Sequence, residues 1–125
     1  MCVLLTVRAD VEVRPTECQV ETGKYVDIDC TTTSTDWPLW FNQSSTKPHA
    51  VHICSPDGHV REGLENKFRV WKVKYDTFRL RVSDIQPSDE GLFFCQETAE
   101  IWNTAQMTLT VTGTLQGNQS SLDFS

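Results

Sequence analysis

The chain has 125 residues, enough for one domain of ordinary size, and its 38% hydrophobic content supplies a two-layer core. A formal net charge of −6 lacks the basic field of a nucleic-acid binder. No apolar run approaches the roughly 20 residues that a spanning helix needs, so any membrane association would come through a segment outside these residues.

The first residues carry a short apolar run, Cys2-Val3-Leu4-Leu5-Thr6-Val7. Residues 1–9 read in two ways: as the tail of a signal peptide ending at Val7-Arg8-Ala9, or as a first edge strand. Beyond them no segment sustains a helical period. Short alternating runs bounded by turn residues dominate, which predicts an all-β sandwich. Gly23 opens one such run, in which Val26, Ile28 and Cys30 share a face. A second strand is predicted over 39–43 and a third over 50–54, separated by a polar loop at 44–48. Pro56-Asp57-Gly58 is a turn signal, because Gly accepts positive φ, and a short strand is predicted after it over 59–61. Strands over 67–73, 78–82, 92–97 and 105–111 follow, the last two joined by a hairpin tip near 99–103. Phe78, Leu80, Val82, Met107, Leu109 and Val111 are predicted inward. Alternation stops after Thr112, and residues 113–125 read as a polar stalk or linker.

The most informative run is Asp89-Glu90-Gly91-Leu92-Phe93-Phe94-Cys95, with Cys30 closing an earlier strand and Trp40 between the two cysteines. The pattern Cys…Trp…Asp-x-Gly-x-(Phe/Tyr)-x-Cys resembles the signature of immunoglobulin domains. The stretch from Trp40 to Lys67 has room for two extra strands, as in the variable type (V-set), here over residues 10–112. Phe78 to Cys95 is similar to the same segment of antibody light-chain variable domains, and Trp40-Phe41-Asn42-Gln43 to their Trp-Tyr-x-Gln. Phe93 replaces the corner tyrosine, and the last strand lacks the Phe-Gly-x-Gly of rearranged antigen receptors. The pattern instead resembles germline-encoded leukocyte receptors: the programmed-death receptor, butyrophilin-like and novel immune-type families.

The resemblance implies a Greek-key V-set sandwich with Cys30 and Cys95 bridging the sheets and Trp40 packed on the bridge. Asp89 should accept from a basic residue near the start of the 67–73 strand, Lys67 or Arg69. It further implies an extracellular module, at the cell surface or secreted, that recognises a protein ligand through its front (GFCC′) sheet. The alternative is homophilic adhesion, with pairing of two copies through the same sheet. The residues expected to face a partner are Phe41, Gln43, Phe94 and Gln96, joined by Leu39, Val51 and, at the hairpin tip, Ile101 and Trp102. The competing expectation is that a neighbouring segment folds over them.

Five cysteines suggest an oxidising compartment. In such a sandwich Cys18 and Cys54 lie near opposite margins of one sheet, and at about 4.8 Å per strand they are too far apart to bond. The pairing of Cys2, Cys18 and Cys54 stays open: one could link two chains, and a free, partly buried thiol is the preferred reading of Cys54. His49, His52, Cys54 and His59 invite a zinc reading, but residues three apart on a strand diverge, so no metal is expected. No nucleophile elbow, phosphate loop or zincin helix is present, so neither an enzymatic activity nor a cofactor is expected. Asn42-Gln43-Ser44 and Asn118-Gln119-Ser120 are N-glycosylation sequons. Lys72, Lys74, Arg79 and Arg81 form a basic cluster. It reads either as a heparin or nucleic-acid patch or as a solvated face partly paired with Asp27 and Asp29, and the second reading is preferred.

Overall fold

The computed structural model describes residues 2–3, 11–33, 36–98 and 103–113. Along these the strands are β1 (Cys2–Val3), β2 (Glu12–Arg14), β3 (Glu17–Glu21), β4 (Val26–Thr31), β5 (Leu39–Ser44), β6 (Val51–Cys54), β7 (Phe68–Lys74), β8 (Thr77–Val82), β9 (Gly91–Gln96) and β10 (Thr104–Thr112), with a 3-10 turn at Pro87–Asp89. They form two sheets. The front sheet runs β1-β3-β10-β9-β5-β6 and the back sheet β2-β4-β8-β7. Neighbouring strands are antiparallel except β3 and β10, which run parallel. The chain changes sheets between Arg14 and Glu17, so one N-terminal segment borders both layers.

Alternation builds the core as predicted. On β4, Val26, Ile28 and Cys30 are buried while Asp27, Asp29 and Thr31 are only partly so. On β8, Phe78, Leu80 and Val82 point inward. Trp40, Phe93, Met107 and Leu109 meet them from the front sheet. Val111, predicted inward, is only partly buried at the margin of that core. The Cys30–Cys95 disulfide joins the two layers, and Trp40 lies directly opposite Cys95 in the buried interior. Phe93, in the place of the corner tyrosine, is fully buried and brings no hydroxyl that would need a partner there.

Lys67 and Asp89 clasp the lower end. The Lys67 ammonium lies 2.6 Å from the Asp89 carboxylate and also donates to the Asp84 carbonyl. Asp89 in turn accepts the Gln86 backbone N–H. Of the two cations offered by the sequence, Lys67 is the partner; Arg69 projects from the outer face.

Three cysteine questions are resolved. Cys2 and Cys18 stand opposite each other on β1 and β3 and are disulfide-bonded. Cys54 is free and buried. The remainder of residues 1–9 and the tail from 114 lie outside the described residues. The strand predicted over 59–61 is a correction: only a single bridge, Cys54 to Val60, forms. Its cause is the preceding turn. The Asp57 carboxylate accepts from the Ser55 hydroxyl, the His59 backbone and the His59 ring, and these bonds hold it well below its ordinary pKa. The chain then turns again at Arg61–Leu64 instead of extending.

Candidate binding face

The outer side of the front sheet is set by the register of its central strands. On β5 the outward residues are Leu39, Phe41 and Gln43; on β9 they are Leu92, Phe94 and Gln96. Their pairs are Leu39 with Gln96, Phe41 with Phe94, and Gln43 with Leu92. Directly opposed residues share a face, so the two phenylalanines shield each other and each is half-buried. The row extends both ways. Gln106 stands opposite Phe94 on β10, and His52 stands opposite Phe41 on β6, with ring centroids 5.1 Å apart. Gln106, Phe94, Phe41 and His52 therefore form a four-strand row across the face. Thr104 and Thr108 flank it on β10.

His52 stands on the outer face where Val51 was expected. Val51 pairs with Asn42, whose side chain is inward, so the pleat turns Val51 off the outer face. A register irregularity between Trp40 and Phe41 makes the exchange, and nothing in the sequence signals it. Gln43 and Gln96 do face outward, but their amide nitrogens are already in use. Gln43 donates to the Lys47 carbonyl at 2.7 Å and Gln96 to the Thr104 hydroxyl at 3.2 Å. Ile101 and Trp102 lie outside the described residues, as does Asn118.

The Asn42 sequon does not suit the fold. The residue is 9% exposed, and its Nδ2, the atom a glycan would take, donates to the Leu92 carbonyl at 3.1 Å. The tripeptide rule ignores which way the strand points.

The loop end of the sheet holds residues that sequence reasoning missed. Glu97 is buried. One of its oxygens accepts from the Thr33 backbone and hydroxyl at 2.8 and 2.7 Å, and the other from Asn103 at 3.0 Å. The Thr98 hydroxyl donates to the Trp37 carbonyl. Trp37 packs its ring against Phe78, with centroids 5.0 Å apart, and covers Gly58. A carboxylate two residues past a cysteine carries no sequence signal for these ties. They bind the segment after β4, the turn after β6 and the ends of β9 and β10 before any partner arrives, which reduces the ordering cost of association.

The zinc constellation is not assembled. His52 faces out, the Cys54 thiol faces the core, and His59 is engaged by Asp57. Burial first, and then the Asp57 charge, pushes the Cys54 thiol up to about 11, so it is a neutral core group rather than a nucleophile.

On the back sheet the predicted pairs form. Arg79 grips Asp29 with two bonds of 2.6 and 2.9 Å, and Arg81 grips Asp27 at 2.8 and 3.0 Å. These hydrogen bonds raise both guanidinium pKa values further. Two members of the basic cluster are thus accounted for by their own strands.

A search of curated proteins returns no match. The family model for the immunoglobulin V-set domain matches residues 13–112, which takes in β2 to β10, the Cys30–Cys95 bridge and the front-sheet row. The chain belongs to the immunoglobulin V-set domain family.

Proposed function

We propose that this domain is the ligand-recognition ectodomain of an immune-type cell-surface receptor that binds a protein partner through its front sheet. The observation that carries the reading is the row Gln106–Phe94–Phe41–His52, which holds no Asp, Glu, Lys or Arg and is flanked by Leu39 and Leu92. Covering it gains roughly 25 cal/mol for each Å² of apolar surface removed from water and strips no paired charge. V-set domains commonly mediate protein–protein contact, and the two disulfides fit an oxidising, extracellular setting. In this reading the domain works by binding alone, with no cofactor, metal or nucleic acid.

Homophilic adhesion through the same sheet is the second reading. The absence of Asp, Glu, Lys and Arg from the row favours it, because two copies could stack there without opposing carboxylates despite a net charge of −6.

The experiment uses fluorescent multimers of the domain on leukocytes, with sedimentation of the unlabelled protein alongside. Staining that Phe41→Ser and Phe94→Ser abolish, with melting temperature nearly kept, supports the receptor reading. A concentration-dependent dimer lost in the same variants supports adhesion. Staining unchanged in both variants, with no dimer, rejects the front sheet as the working surface.

A further inference from the structure

We propose a second docking site, on the exposed edge of the back sheet, for a sulfated polysaccharide of the glycosaminoglycan class. It is separate from the front-sheet reading and does not depend on it.

Six of the chain's 11 basic residues fall between positions 67 and 81, namely Lys67, Arg69, Lys72, Lys74, Arg79 and Arg81, against one acid, Asp76. The ion pairs already described neutralise Lys67, Arg79 and Arg81. Arg69, Lys72 and Lys74 are exposed, and no carboxylate pairs with them among the described residues. All three sit on β7, the outermost strand of the back sheet. At about 3.3 Å per residue Arg69 and Lys74 are roughly 17 Å apart, and Lys72 between them stands opposite the inward-facing Phe78, its ammonium 5.5 Å from the centre of that ring at the open edge. Cations spread this far along one edge strand suit a linear polyanion better than a globular acidic patch.

The local geometry points to an anion. Arg69 stands directly opposite Arg81, whose charge Asp27 already answers, so Arg69 is the guanidinium of the pair that no carboxylate meets among the described residues. Both guanidinium groups, with Arg79, surround the Trp71 ring at 5.3, 5.5 and 5.9 Å. The indole face softens the repulsion and fixes the forks. Asp27 holds the Arg81 fork on one side, while the Arg69 fork stays open and matches the oxygens of a sulfate group. Exposed apolar side chains stand near either end of this strand. Tyr25, stacked under Arg81 at 4.3 Å, is 58% exposed, and Val73 and Tyr75 at the end of β7 are 42% and 75% exposed. These are three of the four exposed large hydrophobics among the described residues. Such faces can cover the rings of a sugar chain between its charged groups.

The test is a salt gradient on immobilised heparin. The wild-type domain should be retained at about 50 mM salt in spite of its negative net charge, and should elute as salt rises. Arg69→Glu/Lys72→Glu/Lys74→Glu should appear in the flow-through with its circular dichroism and melting unchanged. Lys24→Glu/Lys47→Glu/Arg61→Glu, which changes net charge equally, should still be retained, and so should Phe41→Ser. Asp27→Asn, which frees Arg81, should elute later than wild type. A wild-type domain that is not retained overturns the proposal, and so does equal loss in the control triple variant. Capture by phosphatidylserine vesicles without retention on heparin also overturns it, in favour of a membrane.

Discussion

The outer faces of the two sheets are made by the same alternation yet end in opposite chemistry. On the front sheet the polar groups bond locally, Gln43 to Lys47 and Gln96 to Thr104, and the aromatics stand between them without charge. On the back sheet four of the six outward residues of β4 and β8 carry a formal charge, and the charges answer one another strand to strand. Covering the front row dehydrates little that is polar, whereas covering the back ladder would strip water from four ions. The comparison teaches that exposure alone does not mark a protein-binding face. Tyr25 on the back is more exposed than Phe41, but it is surrounded by solvated ions.

Both faces depend on the tie between the layers, so the largest effect should come from there. Replacing Cys30 and Cys95 with Ala should lower stability by about 4 kcal/mol on the chain-entropy estimate. Urea unfolding followed by tryptophan fluorescence measures it. Removing Cys2 and Cys18, which close a separation of 16 residues against 65, should cost less. Equal losses would show that β1 matters to the whole fold rather than to one edge.

The clasp between the back sheet and the start of β9 comes next. Asp89→Ala leaves Lys67 without its carboxylate and Gln86 without its acceptor, and should cost about 2–3 kcal/mol. Asp89→Asn, which keeps an acceptor for the backbone, should cost less. A loss below that of a surface pair would remove the clasp from the account.

Cys54 probes the interior of the front sheet. The thiol is neutral in folded and unfolded chains below pH 9, its ordinary value of 9.0 being the unfolded reference. Above that the unfolded chain ionises first, so stability should fall as pH rises from 9.0 to about 11. Native protein at neutral pH should leave a disulfide-exchange reagent unreacted until denaturant is added. Rapid labelling of the native state would contradict the burial.

The direct comparison of the faces gives the smallest effects. Phe41→Ser and Phe94→Ser should each cost about 1 kcal/mol in fold stability, since Phe41 contacts across to Phe94 and His52 and Phe94 to Phe41 and Gln106. Asp27→Lys and Asp29→Lys should each cost roughly 0.2–1 kcal/mol, measured by thermal melts at low and high salt. Unfolding on front-face truncation would make those rings core residues, and the contrast between the faces would collapse.

Much of this was legible because immunoglobulin chemistry is periodic. Inward and outward assignments on β4, β5, β8 and β9 follow from alternation, and the Asp27–Arg81 and Asp29–Arg79 pairs follow from neighbouring strands. What escaped depends on departures from the period. A register irregularity exchanged Val51 for His52, and a carboxylate-held turn reduced the strand at 59–61 to one bridge. The inward pleat of Asn42 defeats a sequon that is read without regard to facing. The Glu97 ties escaped for another reason. They join residues 64 positions apart through side chains that have no shared pattern.

The seat of Trp37 on Gly58 also bears on how this surface can diversify. Loops at the end of a sandwich are where recognition proteins usually accept new sequence, each loop free of the others. Here a Cβ at position 58 would meet the indole at 2.9 Å, and the glycine already has φ +86, so no side chain fits while Trp37 stays in place. The contact ties position 58 to position 37, and the positive φ restricts it independently. A mutational library that randomises the turn alone should recover mainly glycine at position 58. One that also opens position 37 to small residues should relieve the contact but not the positive φ, so asparagine and aspartate should join glycine there ahead of other residues.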